Sequence, residues 1–423
     1  MQTKLFRRDF TLVVIGQIIS LFGNAILRFA LPLYLLRETG SSALFGAVTA
    51  CSFAPMVILS MIGGVLADRV NKRNIMVGLD FSTAVIIMLF YILLGKIPTV
   101  PLFIAALMLL YGISGTYQPA VQASVPLLVA NDKLTAGNAV INQVNTLSGL
   151  LGPVIGGVIY TLWGIDSILL LSAACFTFSA IMEIFICIPH EKRPREAGVL
   201  RVVGMDLKES CQFVKTEKPI FFSVVFLVSL FNLVLSAVMI VGIPILITQV
   251  LGMSDTMYGF TQGALALGGL CGGILTTMIS GKLNISHSYV LLLVCSTAVA
   301  IMGISLFLNM PALVSYWVIT FMSFTAMGAS ALFTVQIYTL VQAQTPPQLI
   351  GKIMAALLSV AMCGQPIGQA IYGVLFDILA AHPWVVLMGS AAAAFLISLY
   401  SKRIFRQLDG SSPFSASDGT GAA

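Results

Sequence analysis

Apolar residues fill about a dozen long blocks of this chain, and charged residues collect in the gaps between them. The blocks lie at roughly 10–36, 42–67, 74–95, 100–127, 137–162, 166–189, 219–250, 255–280, 287–309, 311–341, 350–380 and 382–404. Each is long enough to cross a bilayer as a helix, since about 20 residues rising 1.5 Å apiece span a hydrocarbon core of ~30 Å. Membrane strands would instead alternate apolar and polar positions over ~10-residue segments. The runs here are unbroken, so the pattern predicts an all-α integral membrane protein with twelve transmembrane helices. Composition agrees: 58% of residues are hydrophobic and only 9% charged, against about 25% charged in a soluble domain. The first block is too long for a signal peptide and lacks a small-residue cleavage site, so it reads as a span.

The gaps set the expected orientation. With an even number of spans both ends lie on one side, and that side collects nineteen of the 22 lysines and arginines. Positive residues stay cytoplasmic, so both termini are expected there, in a bacterial inner membrane. The net charge of +6 then reflects loops beside anionic lipid and calls for no nucleic acid. One long polar link, 190–218, separates six spans (1–189) from six (219–406), and its stretch Met205–Val214 suits a short surface helix. Residues 407–423 read as a disordered tail. Short glycine motifs recur across the link. Gly63-Gly64-Val-Leu matches Gly272-Gly273-Ile-Leu 209 positions later, and Gly152-Pro153-Val-Ile-Gly156 matches Gly364-Gln365-Pro366-Ile-Gly368 after 212. Leu134-Thr-Ala-Gly137 and Leu349-Ile-Gly351 add a third pair. The ordered series predicts two pseudo-symmetric six-helix bundles.

Polar residues inside the spans line up on helix faces. Gln17, Asn24 and Arg28 share one face of span 1, and Tyr111, Ser114, Gln118 and Gln122 share one face of span 4. Ser229, Asn232 and Ser236 do so in span 7, and Thr320, Ser323, Ser330, Thr334 and Tyr338 in span 10. Such stripes line a polar path or act as hydrogen-bonding glue between helices. Three charges lie well inside spans: Arg28, Asp80 and Glu183. Ionisable groups at that depth are costly and mark functional positions by default. Arg28 would pair with an acid or hold an anionic group. Asp80 and Glu183 are the candidates for carrying a coupling proton, the plainer alternative being that they snorkel or pair with loop cations. No P-loop is present, which removes ATP hydrolysis as the energy source. The seven cysteines and three histidines show no metal-ligand spacing, so no metal and no cofactor are expected, and no catalytic cluster suggests an enzyme.

Two local motifs sharpen this picture. Gly64-Val-Leu-Ala-Asp68-Arg69-Val-Asn71-Lys72-Arg73 links spans 2 and 3. It resembles the loop signature of the major facilitator superfamily of secondary transporters, with Asn71 where glycine is usual. Ser148, Gly152, Pro153, Gly156 and Gly157 in span 5 resemble the antiporter motif of that superfamily's drug/proton exporters, with Ser148 where glycine is common. Gly64 is expected to admit a close helix neighbour. The resemblance implies that Gly64, Asp68, Arg69, Lys72 and Arg73 form a cytoplasmic conformational latch, and that spans 1, 4, 7 and 10 line a central path. On this basis Gln17, Asn24, Arg28, Tyr111, Ser114, Gln118, Gln122, Asn232, Ser236, Ser323, Ser330, Thr334 and Tyr338 are substrate-path residues. With Ser20-Leu-Phe-Gly-Asn24-Ala25 in span 1, the chain is similar to the bacterial macrolide-efflux branch. Asn24 stands where many exporters carry an acid, which moves weight to Asp80. The implied function is export of amphipathic or lipophilic small molecules by proton antiport, by a monomer in lipid. Siderophore, lysophospholipid and nutrient transport remain open alternatives, as does a polytopic sensor or enzyme without transport.

Overall fold

The computed structural model describes residues 5–130, 133–189, 199–279, 287–346 and 349–409. The tail beyond Asp409 and the first part of the 190–218 link lie outside the described residues. Among these residues the chain is helical, without strands. In lipid each backbone N–H and C=O needs an internal partner, and a helix supplies it.

The first unit is built from α1 (Arg8–Thr39), α2 (Ser42–Arg69), α3 (Lys72–Leu93), α4 (Thr99–Leu128) and α5 (Leu134–Ile184). α5 is two legs. Gly164, at φ 71°, takes a backbone conformation open mainly to glycine and breaks the helix there. The ends carry recognisable stops and starts. Gly40 at φ 64° closes α1 with its N–H on the Leu36 carbonyl. The Ser41 hydroxyl then accepts from Leu44 N at 3.2 Å to start α2. Asn71 does the same for α3, its Oδ1 accepting from Arg73 N at 3.0 Å. That explains the departure from glycine in the loop signature: asparagine and glycine are both acceptable N-cap residues.

After α6 (Val199–Thr216), the chain runs through α7 (Ile220–Phe231), a π-turn at Asn232–Ser236, α8 (Ala237–Ile245) and a further π-turn at Leu246–Val250. It continues with α9 (Asp255–Ile279), α10 (Ser288–Phe307), α11 (Ala312–Ala343), α12 (Ile350–Met362), α13 (Gly364–Ile378) and α14 (Pro383–Asp409); of these, residues 247–263, which include the start of α9, pack with the first unit and the rest form the second. α6 is the surface helix expected in the link, begun earlier; its Phe213 and Val214 are buried with Phe221, Val341 and Ile353. Among the described residues nine helical runs meet the length and apolarity needed to cross a membrane. Counting α5 as two legs and adding α9 and the run 350–378 gives the twelve passes expected. Large apolar side chains stay exposed at helical spacing, such as Val85, Leu89 and Ile92 on α3, as helices facing lipid require.

The contacts divide the chain into two compact units, 1–204 with 247–263 and 205–246 with 264–423. Each unit repeats the same helix packing. In the first, α2 lies on α4 and α1 on α5. A Cβ on Gly63 would lie 2.7 Å from Thr116 Cα, and one on Gly152 would strike Ala25 Cβ. In the second, α9 meets α11 where Gly272 faces the Gly328 carbonyl, and the start of α13 meets the helix begun by α7, where Gly364 and Gly368 face the Ser229 and Leu233 carbonyls. The recurring glycines of the sequence therefore mark the same interhelical contacts in both units, where only a missing side chain lets two backbones approach.

Candidate functional site

Two polar stripes face one another inside the first unit. Asn24 and Arg28 of α1 and Tyr111, Ser114 and Gln118 of α4 line a narrow cavity of about 30 Å³, which also reaches Ser20, Asp80 and Tyr117. Asn24 Nδ2 donates to Ser114 Oγ across it, at 3.3 Å. A larger cavity of about 410 Å³ adjoins it, shares Asn24, Arg28, Ser114 and Gln118, and adds Asn145, Ser148, Pro153, Tyr258 and Gln262. Arg28 lays its guanidinium 4.1 Å over the Tyr111 ring and points Nη2 at Met56 Sδ, 3.5 Å away.

A buried cluster adjoins the smaller cavity, with Asp80 and Tyr117 on its wall. Gln17 Nε2 donates to Tyr117 Oη at 2.6 Å, and Tyr117 Oη donates to Glu183 Oε1 at 2.6 Å. Asp80 lies within electrostatic reach of Tyr117 and Glu183, with the Ser179 hydroxyl beside it. Ser179 itself donates to the Gly16 carbonyl at 3.1 Å. Gln17 and Glu183 are 0% exposed and Asp80 is 2%, so neither carboxyl snorkels to a surface. One oxygen each of Gln17, Ser20, Asp80 and Glu183 finds no hydrogen-bond partner among the described residues. No described lysine, arginine or histidine pairs with either acid; the ion pair of this unit is Arg37 to Asp255, 2.6 Å. Two carboxyls out of water with no basic partner cannot both stay charged cheaply. The arrangement suits groups that take up and release protons. Among the described residues no group of three or more His, Cys, Asp or Glu stands ready for a metal ion.

The remaining sequence candidates fall in different places. Gln17 belongs to the buried cluster rather than to a cavity wall, and Gln122 is exposed and lines neither cavity. In the second unit Asn232 and Ser236 act as glue: Asn232 Nδ2 donates to the Ala361 carbonyl at 3.2 Å, and Ser236 Oγ donates to Asn232 Oδ1 at 2.9 Å. Thr334 Oγ1 returns to the Ser330 carbonyl of its own helix at 2.8 Å. Ser323 is buried and its hydroxyl lacks a described partner, while Tyr338 is half-buried.

In the loop signature it is Gly63, not Gly64, that meets a neighbouring helix within the unit. The Asp68 and Arg69 side chains lie outside the described residues. Lys72 opens α3, and Arg73 Nη1 reaches the Ile184 carbonyl at 3.5 Å, a cation at a helix C-terminus. In span 5, Gly152 and Gly156 face Ala25, Ile26 and Phe29 of α1, whereas Gly157 faces α9, its added Cβ falling 2.7 Å from the Asp255 carbonyl oxygen. Pro153 lies on that α9 face too, its carbonyl oxygen against Gly259. Ser148 is buried with its hydroxyl unpartnered among the described residues.

Tyr117 is the residue that sequence reasoning missed. At 100° per residue it stands well off the Tyr111–Gln118 stripe, so periodicity left it unmarked. Its signal was the acids themselves, since a carboxyl buried in a bundle demands a donor.

A family model described as the Major Facilitator Superfamily matches residues 13–369. Macrolide efflux protein A of Streptococcus pyogenes is 24% identical over 405 residues, covering 93% of this chain and 96% of that protein. The enterobactin exporter EntS of Escherichia coli O1:K1 / APEC is 27% identical over 369 residues, covering 86% and 84%. Among solved structures, the nucleoside transporter NupG superposes with a TM-score of 0.73 at 12% identity, over 95% of this chain and 100% of that one. A bacterial homolog of the human lysosomal transporter Spinster gives 0.70 at 14% identity, over 94% and 97%. The family match spans most of the chain and the fold agrees with it: the chain is a multi-pass membrane transporter and belongs to the major facilitator superfamily.

Proposed function

We propose that this protein exports amphipathic or lipophilic compounds, drug- or macrolide-like, by proton antiport, with Asp80 and Glu183 as the coupling groups. The observation that carries the reading is the buried cluster: two carboxyls with no basic partner, Glu183 held by Tyr117 and Asp80 near them on the wall of a polar cavity. A proton held there is felt by whatever occupies the cavity. Efflux proteins among the relatives support the direction. The loop signature would act as the latch between alternating states, in an inner membrane with both termini cytoplasmic. Export of a siderophore is the second reading, favoured by the enterobactin exporter's likeness along most of the chain.

A resistance profile of an efflux-deficient bacterium expressing the chain supplies substrates. Flux is then followed in proteoliposomes with and without an imposed pH gradient. Asp80→Asn abolishes accumulation against a substrate gradient and spares downhill movement. If the parent protein ignores the pH gradient, proton antiport is wrong. If Asp80→Asn still concentrates substrate as the parent does, coupling does not pass through Asp80.

A further inference from the structure

We propose that Arg28 anchors an anionic group on the transported compound, so that the substrates are amphiphiles with a carboxylate, phosphate or similar acidic head. The inference rests on reading the cavity as the substrate path. It begins from what the guanidinium lacks. Arginine carries five N–H donors and stays charged. Here one face of the group is covered by Tyr111, at 4.1 Å. Its hydrogen-bonding edge meets a thioether, Met56 Sδ at 3.5 Å, and thioether sulfur is a weak acceptor. No described carboxylate pairs with it. The guanidinium sits over the Tyr111 ring and lines both cavities, and a free guanidinium fork reads a carboxylate or phosphate in two parallel bonds.

The surroundings favour the same charge. Arg28 is the one formally charged side chain among the described residues lining the larger cavity. Asn24, Ser114, Gln118 and Gln262 offer neutral polar groups there, and Leu21 and Phe29 offer apolar surface for a hydrophobic body. Asp80 lines the smaller cavity with Arg28 but does not pair with it. When Asp80 holds a proton, the two cavities together carry a single positive charge. An amine-bearing cation placed there would meet that charge without an anion to offset it, so within the proposed range of amphipathic compounds this inference favours acidic ones over amine-bearing ones such as macrolides.

The test uses one fluorescent apolar body bearing three exchangeable heads: a carboxylate, a hydroxyl and a trimethylammonium group. Binding to purified protein in detergent is measured by equilibrium dialysis at fixed pH. The expected order is carboxylate above hydroxyl above trimethylammonium, the first step about 10-fold or more, as charge-assisted hydrogen bonds provide. Arg28→Gln collapses the carboxylate-to-hydroxyl ratio, and Arg28→Lys, which keeps charge but not the fork, gives an intermediate ratio. Comparing ratios rather than affinities separates recognition from general damage. Parent protein that binds the trimethylammonium compound as tightly as the carboxylate, or binds none of the three, overturns the proposal. So does an Arg28→Gln ratio equal to the parent's. Transport of the same compounds into inverted vesicles separates the two readings: a carboxylate that binds through Arg28 but is never moved leaves the Arg28 assignment standing and removes the export reading.

Discussion

The bond between Tyr117 and Glu183 gives the sharpest test of the buried cluster. Tyr117→Phe removes one oxygen and keeps the ring in place. Two contacts disappear with it: Gln17 Nε2 loses its acceptor and Glu183 Oε1 loses its donor, each at 2.6 Å. Hydrogen bonds inside membrane proteins average about 0.6 kcal/mol and reach about 1.7; those to charged groups are worth roughly 1.5–3 in general. Taking ~0.6 for the Gln17 bond and ~1.5 for the carboxyl bond gives a loss of about 2 kcal/mol, or about 30-fold in an equilibrium constant. Unfolding in a detergent titration measures that loss. A double-mutant cycle with Glu183→Leu, which removes the acceptor, isolates the shared bond, because groups in contact fail to add by 0.5–3 kcal/mol. The pair Tyr117→Phe/Glu183→Leu therefore costs less than the sum of the singles, by about 1 kcal/mol or more. In proteoliposomes Tyr117→Phe also weakens pH-driven accumulation more than downhill flux. Strict additivity in the cycle, or full pH-driven accumulation by the phenylalanine variant, would refute the linked cluster.

Asp68→Asn keeps the shape of the side chain but loses its charge, and transport falls while the protein still inserts; normal efflux at matched expression removes the latch role. Valine at Gly152 strikes Ala25 of α1 and abolishes export, valine at Gly156 has the milder contact with Phe29 and costs less, and valine at Ile155, which is 37% exposed, is tolerated. Equal tolerance at the three positions, measured as efflux at matched expression, returns this stretch to ordinary helix. Asn71→Ala loses the α3 cap at about 1 kcal/mol whereas Asn71→Gly costs a few tenths; indistinguishable melting of the two variants in detergent refutes the capping role.

The fold was legible in the sequence because a membrane leaves the chain little choice. Twelve apolar runs become twelve helical passes once the backbone must satisfy itself, and Gly164, between the fifth and sixth runs, breaks α5 where the expected gap lay. The polar stripes of α1 and α4 were legible for the same reason, since a face is a matter of spacing along one helix. Partners across helices were not. That Gln17 turns to Tyr117 rather than to the cavity depends on how α1, α4 and α5 are rotated against one another, which no single-helix period contains. The π-turn at Asn232–Ser236 was likewise hidden, because a shift of hydrogen-bond register leaves the apolar run unchanged.

The internal repeat separates what the fold needs from what the chemistry needs. Glycines that admit a neighbouring backbone occur in both units, at Gly63 and Gly272 and again at Gly152 and Gly364. The charges do not repeat. At the 212-residue offset of the span 5 and span 11 motifs, Arg28 corresponds to Ile240, Asp80 to Leu292, Tyr117 to Ala329 and Glu183 to Phe395. A register error of a few residues changes nothing: α10 carries no acid at all, and α14 none before Asp409. Close packing is required of every bundle of this type, so drift is held back in both halves. A buried carboxyl or guanidinium destabilises a bundle wherever it lacks a function, so it persists only where one acts. On the coupling role proposed for Asp80 and Glu183, the first unit would hold the groups that act and the second would repeat the scaffold. An acid installed at Leu292 should therefore destabilise the protein without adding a second coupling site, and a Leu292→Asp variant that restores pH-driven accumulation to Asp80→Asn would show the division of labour to be wrong.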